Sequence, residues 1–145
     1  MPPFALVILL NPPSLNEGPD HSFQSTLRDA ARRRFAGSAL FEGNLYARIL
    51  WFHRRRTIKD VDNIIKNILD ALEGVVFVND RAITQCVACK INTQESVEID
   101  YSNAPEDVAV ELASLLLTEP EHVLYVEVGQ ASTRVVFGPI DGGVE

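Results

Sequence analysis

The sequence is poor in the residues that staple or metallate many small proteins. Its only cysteines, Cys86 and Cys89, lie in the run CVAC. In an extended segment residues three apart point to opposite faces, and no second pair completes a zinc site. Both are expected to be inert thiols in a reducing compartment, so disulfides are not expected to hold the chain together. No stretch approaches the roughly 18 apolar residues that span a bilayer, and the apolar opening FALVILL lacks the basic flank of a signal peptide. The expectation is a soluble, cytoplasmic protein with no membrane partner. Internal repeats, low-complexity tracts and a clear linker are also missing. With 46% hydrophobic residues, a chain of 145 can bury one sizeable core, and residues 1–145 read as a single domain.

Basic residues are outnumbered, 13 Lys and Arg against 20 Asp and Glu, a net charge of -7. The deficit is not spread evenly. Residues 1–94 hold 12 basic and 9 acidic side chains, a net of +3, whereas residues 95–145 hold 1 and 11, a net of -10. Within the basic part, Arg32, Arg33 and Arg34 form one cluster and Arg54, Arg55 and Arg56 another, with Lys59 close behind. Such clusters attract a polyanion despite an acidic isoelectric point, or else act as solubilising faces.

Apolar periodicity supplies the elements. FALVILLN (4–11) is a short buried strand stopped by Pro12 and Pro13. Residues 21–36 place Phe23, Leu27, Ala30, Ala31 and Phe35 at helical spacing before Gly37, with Arg28, Arg32 and Arg33 opposite. NLYARILWFH (44–53) predicts a strand running into the triple arginine. Val61, Ile64, Ile65, Ile68, Leu69, Leu72 and Val75 then recur at steps of three and four, as one buried helix face requires. VVFVND, AITQCVACKI and SVEIDY predict three further strands. A helix follows from Asn103 to about Leu117 with Pro105 in its first turn, and LYVEVG and TRVVFG predict a closing hairpin. Trp51, Phe52 and His53 lie on the strand before the arginines, where they either pack or, for the two aromatics, stack on bases.

The acids of the central helix invite two explanations. At about 100° per residue, Asp62, Lys66, Asp70 and Glu73 share one polar arc. Folding alone accounts for them if Asp60 is the N-cap, Asp62 answers the helix dipole and the lysine pairs with acids four residues away. Asp80 adds a chemical explanation, because it ends the segment that returns from the helix and could be carried back towards Asp60 and Asp62. Three converging carboxylates suit a hard cation such as magnesium, which supplies hydroxide and offsets charge on a phosphodiester. Lys66, one turn after Asp62, is placed to pair with that charge or orient the water.

The run DVDNIIKNILDAL, followed by FVNDRAI and by Lys90 at the end of the next strand, resembles the RusA family of Holliday junction resolvases. The family's hallmark is D-x-D-N-x-x-K-x-x-x-D-x-L and then an acidic pair, and PPSLN after the first strand is similar to its PPS-x-N opening. The similarity covers about residues 4–101 and leaves residues 104–145 outside. It implies a small α+β (mixed α/β) homodimer, a mixed sheet packed by helices, that binds four-way DNA junctions in recombination and repair and nicks two strands symmetrically using Mg2+. It further implies that Asp60, Asp62 and Asp80 are metal-binding catalytic acids, that Lys66 is the catalytic lysine, and that Asn63 and Asp70 support them. Arg32, Arg33, Arg54, Arg55, Arg56 and Lys59 would contact DNA phosphates. Asn79 departs from the family, standing where the first acid of the pair is usual. Two rival readings remain: the same scaffold binding branched DNA without cutting it, and a non-enzymatic interaction protein whose acidic tail recruits a basic partner or covers its own basic face.

Overall fold

A computed structural model describes residues 2–13, 20–55, 57 and 59–139. Four strands, β1 (Phe4–Ile8), β2 (Leu45–His53), β3 (Ile83–Asn92) and β4 (His122–Gln130), form one mixed sheet in the order β1-β4-β2-β3. Three helices accompany it, α1 (His21–Arg34), α2 (Val61–Leu72) and α3 (Glu106–Leu117). The α+β expectation is met. No helix among the described residues is long and apolar enough to cross a membrane.

Helix α2 forms because burying its stripe removes Ile64, Ile68 and Leu72 completely from water. Isoleucine is only a moderate helix former, so packing rather than propensity decides this segment. The stripe meets Leu45, Ala47, Ile49 and Trp51 on one face of β2 and Phe23, Leu27 and Ala31 on α1. The alternate residues of the strands face the other way. There Ala5, Val7, Phe52, Val123 and Tyr125 pack with Val108 and Leu112 of α3 in a smaller second core. The sheet is thus covered by α1 and α2 on one side and by α3 on part of the other.

Strand direction positions everything that follows. β2 and β3 are parallel, joined through α2, while β4 runs antiparallel to both β1 and β2. Consequently β1, β2 and β3 all point the same way, and their carboxyl ends gather at one end of the sheet.

Several sequence expectations are corrected. VVFVND is not a strand: Gly74, with φ of 81°, reverses the chain after α2, and Gly74 N bonds Phe77 O at 2.7 Å. Val75, Val76 and Phe77 plug the core instead, Phe77 making only isolated bridges to Phe41 and Glu73. SVEIDY forms no strand, and Val97 and Ile99 stay exposed. The closing hairpin is absent because β4 is inserted between β1 and β2, so both of its edges are already paired. TRVVFG is left without a ladder, with Val135, Val136 and Phe137 exposed at 77%, 67% and 91%. Trp51 and Phe52 are buried, which removes them from any role in stacking on bases, and His53 is packed as well.

Truncating Ile68 to Ala should cost about 2–5 kcal/mol, since the cavity would open at the junction of α2 with the sheet. Urea unfolding followed by circular dichroism reads this as a lowered midpoint with an unchanged slope.

Candidate active site

At the end where β1, β2 and β3 terminate, Lys59 ties three segments together. Its Nζ donates to Asn11 Oδ1 at 3.1 Å and to Pro12 O at 3.0 Å, and it lies 5.6 Å above the Trp51 ring. Lys90 Nζ donates to Lys59 O at 3.0 Å. Beneath them Trp51 Nε1 donates to His122 Nδ1 at 3.2 Å, and His53 Nδ1 bonds the Arg55 carbonyl at 2.7 Å. An indole nitrogen can only donate, so Nδ1 of His122 must keep its lone pair. Burial first, and then the Lys59 ammonium, hold His122 below the ordinary histidine range, in keeping with a neutral ring.

The α2 N-terminus opens onto this end. Asp60 occupies the N-cap position with extended backbone, yet its carboxylate makes no capping hydrogen bond, contrary to the folding explanation. Among the described residues, its carboxylate is approached by Asn63 Nδ2 at 3.5 Å, a marginal contact. Asp62 is exposed in the first turn and has no ion pair or hydrogen bond among the described residues. Among the described residues both carboxylates therefore keep lone pairs available at the helix start, where the Asn63 N–H is already bonded to Asp60 O at 3.1 Å.

Half-way down α2 a second group is tightly bound. Lys66 Nζ pairs with Asp70 Oδ1 at 2.9 Å and Asp80 Oδ2 at 3.1 Å. The expected lysine–acid pair four residues on is present; the one with Asp62 is not. Hydrogen bonds that the ammonium donates to Asp70 and then to Asp80 hold it above the ordinary lysine range. Asp80 begins a short 3-10 turn (Asp80–Ala82), and its N–H donates to Glu73 Oε1 at 2.9 Å. Asn79 caps that turn, Oδ1 accepting from Arg81 N at 2.9 Å, a task an aspartate performs equally well.

The structure thus brings Lys66, Asp70 and Asp80 together, with Asp60, Asp62 and Asn63 one to two turns nearer the helix start. Six residues of helix separate Asp60 from Lys66, about 9 Å along the axis. Among the described residues no three His, Cys, Asp or Glu side chains are grouped so as to hold a metal ion. The donors are nevertheless all carboxylate oxygens, the chemistry a hard cation takes.

Of the expected phosphate contacts, Arg32 and Arg33 are exposed on α1, Arg32 lying 3.7 Å from Asp29. Arg54 and Arg55 emerge just after β2, and Arg56 lies outside the described residues, as does most of PPSLN. Three residues that sequence reasoning missed hold the acid-bearing helix in place. Arg28 donates from Nε to Ala71 O at 3.0 Å and from Nη2 to Asp70 O at 2.9 Å, satisfying carbonyls at the C-terminus of α2. Buried Asn67 accepts from Gln24 Nε2 at 3.0 Å, linking α2 to the start of α1. The sequence signal for Asn67 was available: it is a polar residue on the apolar stripe, three after Ile64.

The family model described as Endodeoxyribonuclease RusA matches residues 21–100, more than half of the chain and the whole segment from α1 through β3. The chain belongs to the RusA family. Comparison with curated proteins gives no match. The RusA segment contains every acid of α2, Lys66, Asp80 and both arginine clusters, whereas α3 and β4 lie beyond it. The RusA family is one of endodeoxyribonucleases, which supports reading the chain as a nuclease.

Two outcomes test this geometry. Because the depressed His122 binds a proton less readily than in the unfolded chain, its contribution is complete above the ordinary value of 6.5 and is lost as pH falls below it. The unfolding midpoint should therefore drop between about pH 7.5 and about pH 5.5, and His122→Gln, which retains an acceptor for Trp51 but does not titrate, should flatten that drop. Lys66→Met should change stability by less than about 1 kcal/mol in chemical denaturation, because the pairs it loses are a third to a half exposed.

Proposed function

We propose that the protein is a magnesium-dependent, structure-selective endodeoxyribonuclease that resolves four-way DNA junctions by paired symmetric nicks, acting as a homodimer in recombination and repair. One observation carries the proposal: within the RusA segment, α2 presents at its N-terminus two carboxylates that form no ion pair among the described residues and, one turn on, a lysine fixed by two further acids. A helix that needed Asp60 only as a cap would use it as one, and this helix does not.

In this reading Asp60, Asp62 and Asp80 are the residues that would hold magnesium. A bound magnesium ion would activate water for attack and would offset the charge that builds on the phosphodiester. The remaining work falls to the chain. Asp70 anchors Lys66, so that its ammonium lies close to the scissile phosphate and holds the negative charge developing there. Asn63 is assigned a supporting place beside Asp60, which its amide reaches at 3.5 Å. Until DNA and metal arrive, Lys66 serves as the counter-charge of Asp80, which avoids like-charge repulsion between Asp70 and Asp80.

Arg32, Arg33, Arg54, Arg55, Arg56 and Lys59 are assigned to backbone phosphates. Their contacts give affinity that falls steeply with salt and carries no sequence information. Lys59 would do so while bracing the loop through Asn11 and Pro12. A two-fold dimer suits a junction because each protomer then faces one of the two exchanging strands.

Nicking of a synthetic four-way junction with magnesium, suppressed by a chelator, is the direct test. Asp62→Asn should lower the cleavage rate at least about 100-fold, the loss of a few kcal/mol of charge stabilisation, while leaving binding intact. The pairing of Asp80 with Lys66, and Asn79 in place of the usual acid, favour a second reading in which the protein binds branched DNA without cutting it. Tight junction binding with no cleavage at any magnesium concentration would establish that reading instead.

A further inference from the structure

The arginines that follow β2 are not open to solvent alone. Arg54 Nη2 lies 3.8 Å from Glu119 Oε2, and its Nη1 donates to the Glu119 carbonyl at 3.4 Å. Arg55 Nε lies 3.3 Å from Glu121 Oε2. Both acids belong to the turn that joins α3 to β4. At the other end of α3, Arg34 Nη1 pairs with Asp107 Oδ2 at 2.6 Å, which keeps the Asp107 carboxyl below the usual carboxylate range. Helix α3 is therefore a strap held at both ends by arginines of the basic clusters and in the middle by Val108 and Leu112 in the second core.

Glu119 is the telling residue. It follows the C-cap Thr118 with a φ of 52°, the left-handed conformation that glycine ordinarily supplies just after a helix. It is the one non-glycine residue with positive φ among the described residues. A glutamate here accepts backbone strain, and its carboxylate faces Arg54. The acidic segment, moreover, lies beyond residue 100, where the RusA match ends, while the arginines it engages lie within it.

We propose that Glu119 and Glu121 act as built-in phosphate mimics that occupy Arg54 and Arg55 and compete with DNA for them. The inference rests on the proposed nucleic-acid function. Carboxylate and phosphate oxygens make the same charge-assisted bonds to a guanidinium, so the two compete for one place. The pairs are exposed and hence weak and displaceable, suited to raising a threshold rather than to blocking the surface. DNA that offers several phosphates at once displaces them; a sparse or non-specific contact does not.

The test compares four-way junction and plain duplex binding, by fluorescence anisotropy, for the full chain and for Glu119→Gln/Glu121→Gln. A second double variant, Glu98→Gln/Glu106→Gln, removes the same charge from acids that form no ion pair among the described residues. The first variant should bind DNA about 3- to 10-fold more tightly at low salt, with a salt dependence steeper by up to about two phosphate equivalents; the second should change little. Circular dichroism confirms folding, and Glu119→Gly, which also relieves the backbone, should reproduce part of the gain. Equal binding by wild type and the first variant overturns the inference but leaves the nuclease reading standing. An equal gain in the control overturns it too, by reducing the effect to net charge. Absence of DNA binding in every variant at low salt overturns both.

Discussion

Once Ile64, Ile68 and Leu72 are buried between β2 and α1, helix α2 can neither rotate nor slide, and the direction of every other side chain on it is fixed. Asp60 and Asp62 then have to face the end of the sheet where three strands terminate, and Lys66 and Asp70 have to face the turn that carries Asp80. The polar apparatus is a by-product of where the apolar stripe goes. Packing energy of this kind is large and non-directional, whereas the ion pairs it orients are exposed and individually weak. The stable part of the molecule thus sets where the weakly held polar side chains lie.

This division explains what could be read from the sequence. The α2 stripe was legible because seven apolar residues repeat at helical steps, and the polar arc followed by subtraction. The family resemblance was legible in the same stretch, since DVDNIIKNILDAL combines that stripe with its acids. The partner of each strand was not legible, for alternation identifies a strand but not its neighbour. LYVEVG was expected to pair with TRVVFG, the nearest segment of similar pattern, yet β4 found β2 and, across most of the chain, β1. VVFVND looked like a strand because buried apolar runs of that length are ambiguous, and the glycine turn at residue 74 decided the matter.

The candidate site shows a similar limit. Which residues lie near one another on α2 was readable, but how far Asp80 returns along the helix was not. It pairs with Lys66, and among the described residues no three acids are grouped as a metal site. The pairing of arginines with acids of the α3 strap was equally hidden, since charge counts show opposite signs in two parts of a chain without saying that they touch. Here they touch at Arg34, Arg54 and Arg55.

The place of β4 also bears on how the molecule comes into being. β1 and β2 share no ladder; β4, the last of the four strands described, lies between them and joins both. During synthesis, therefore, the RusA segment leaves the ribosome well before the strand that closes its sheet. Its α2 acids and arginines are present in the nascent polypeptide, but the sheet that frames them is complete only once His122–Gln130 has emerged, so the arrangement of these side chains waits on a strand made well after them.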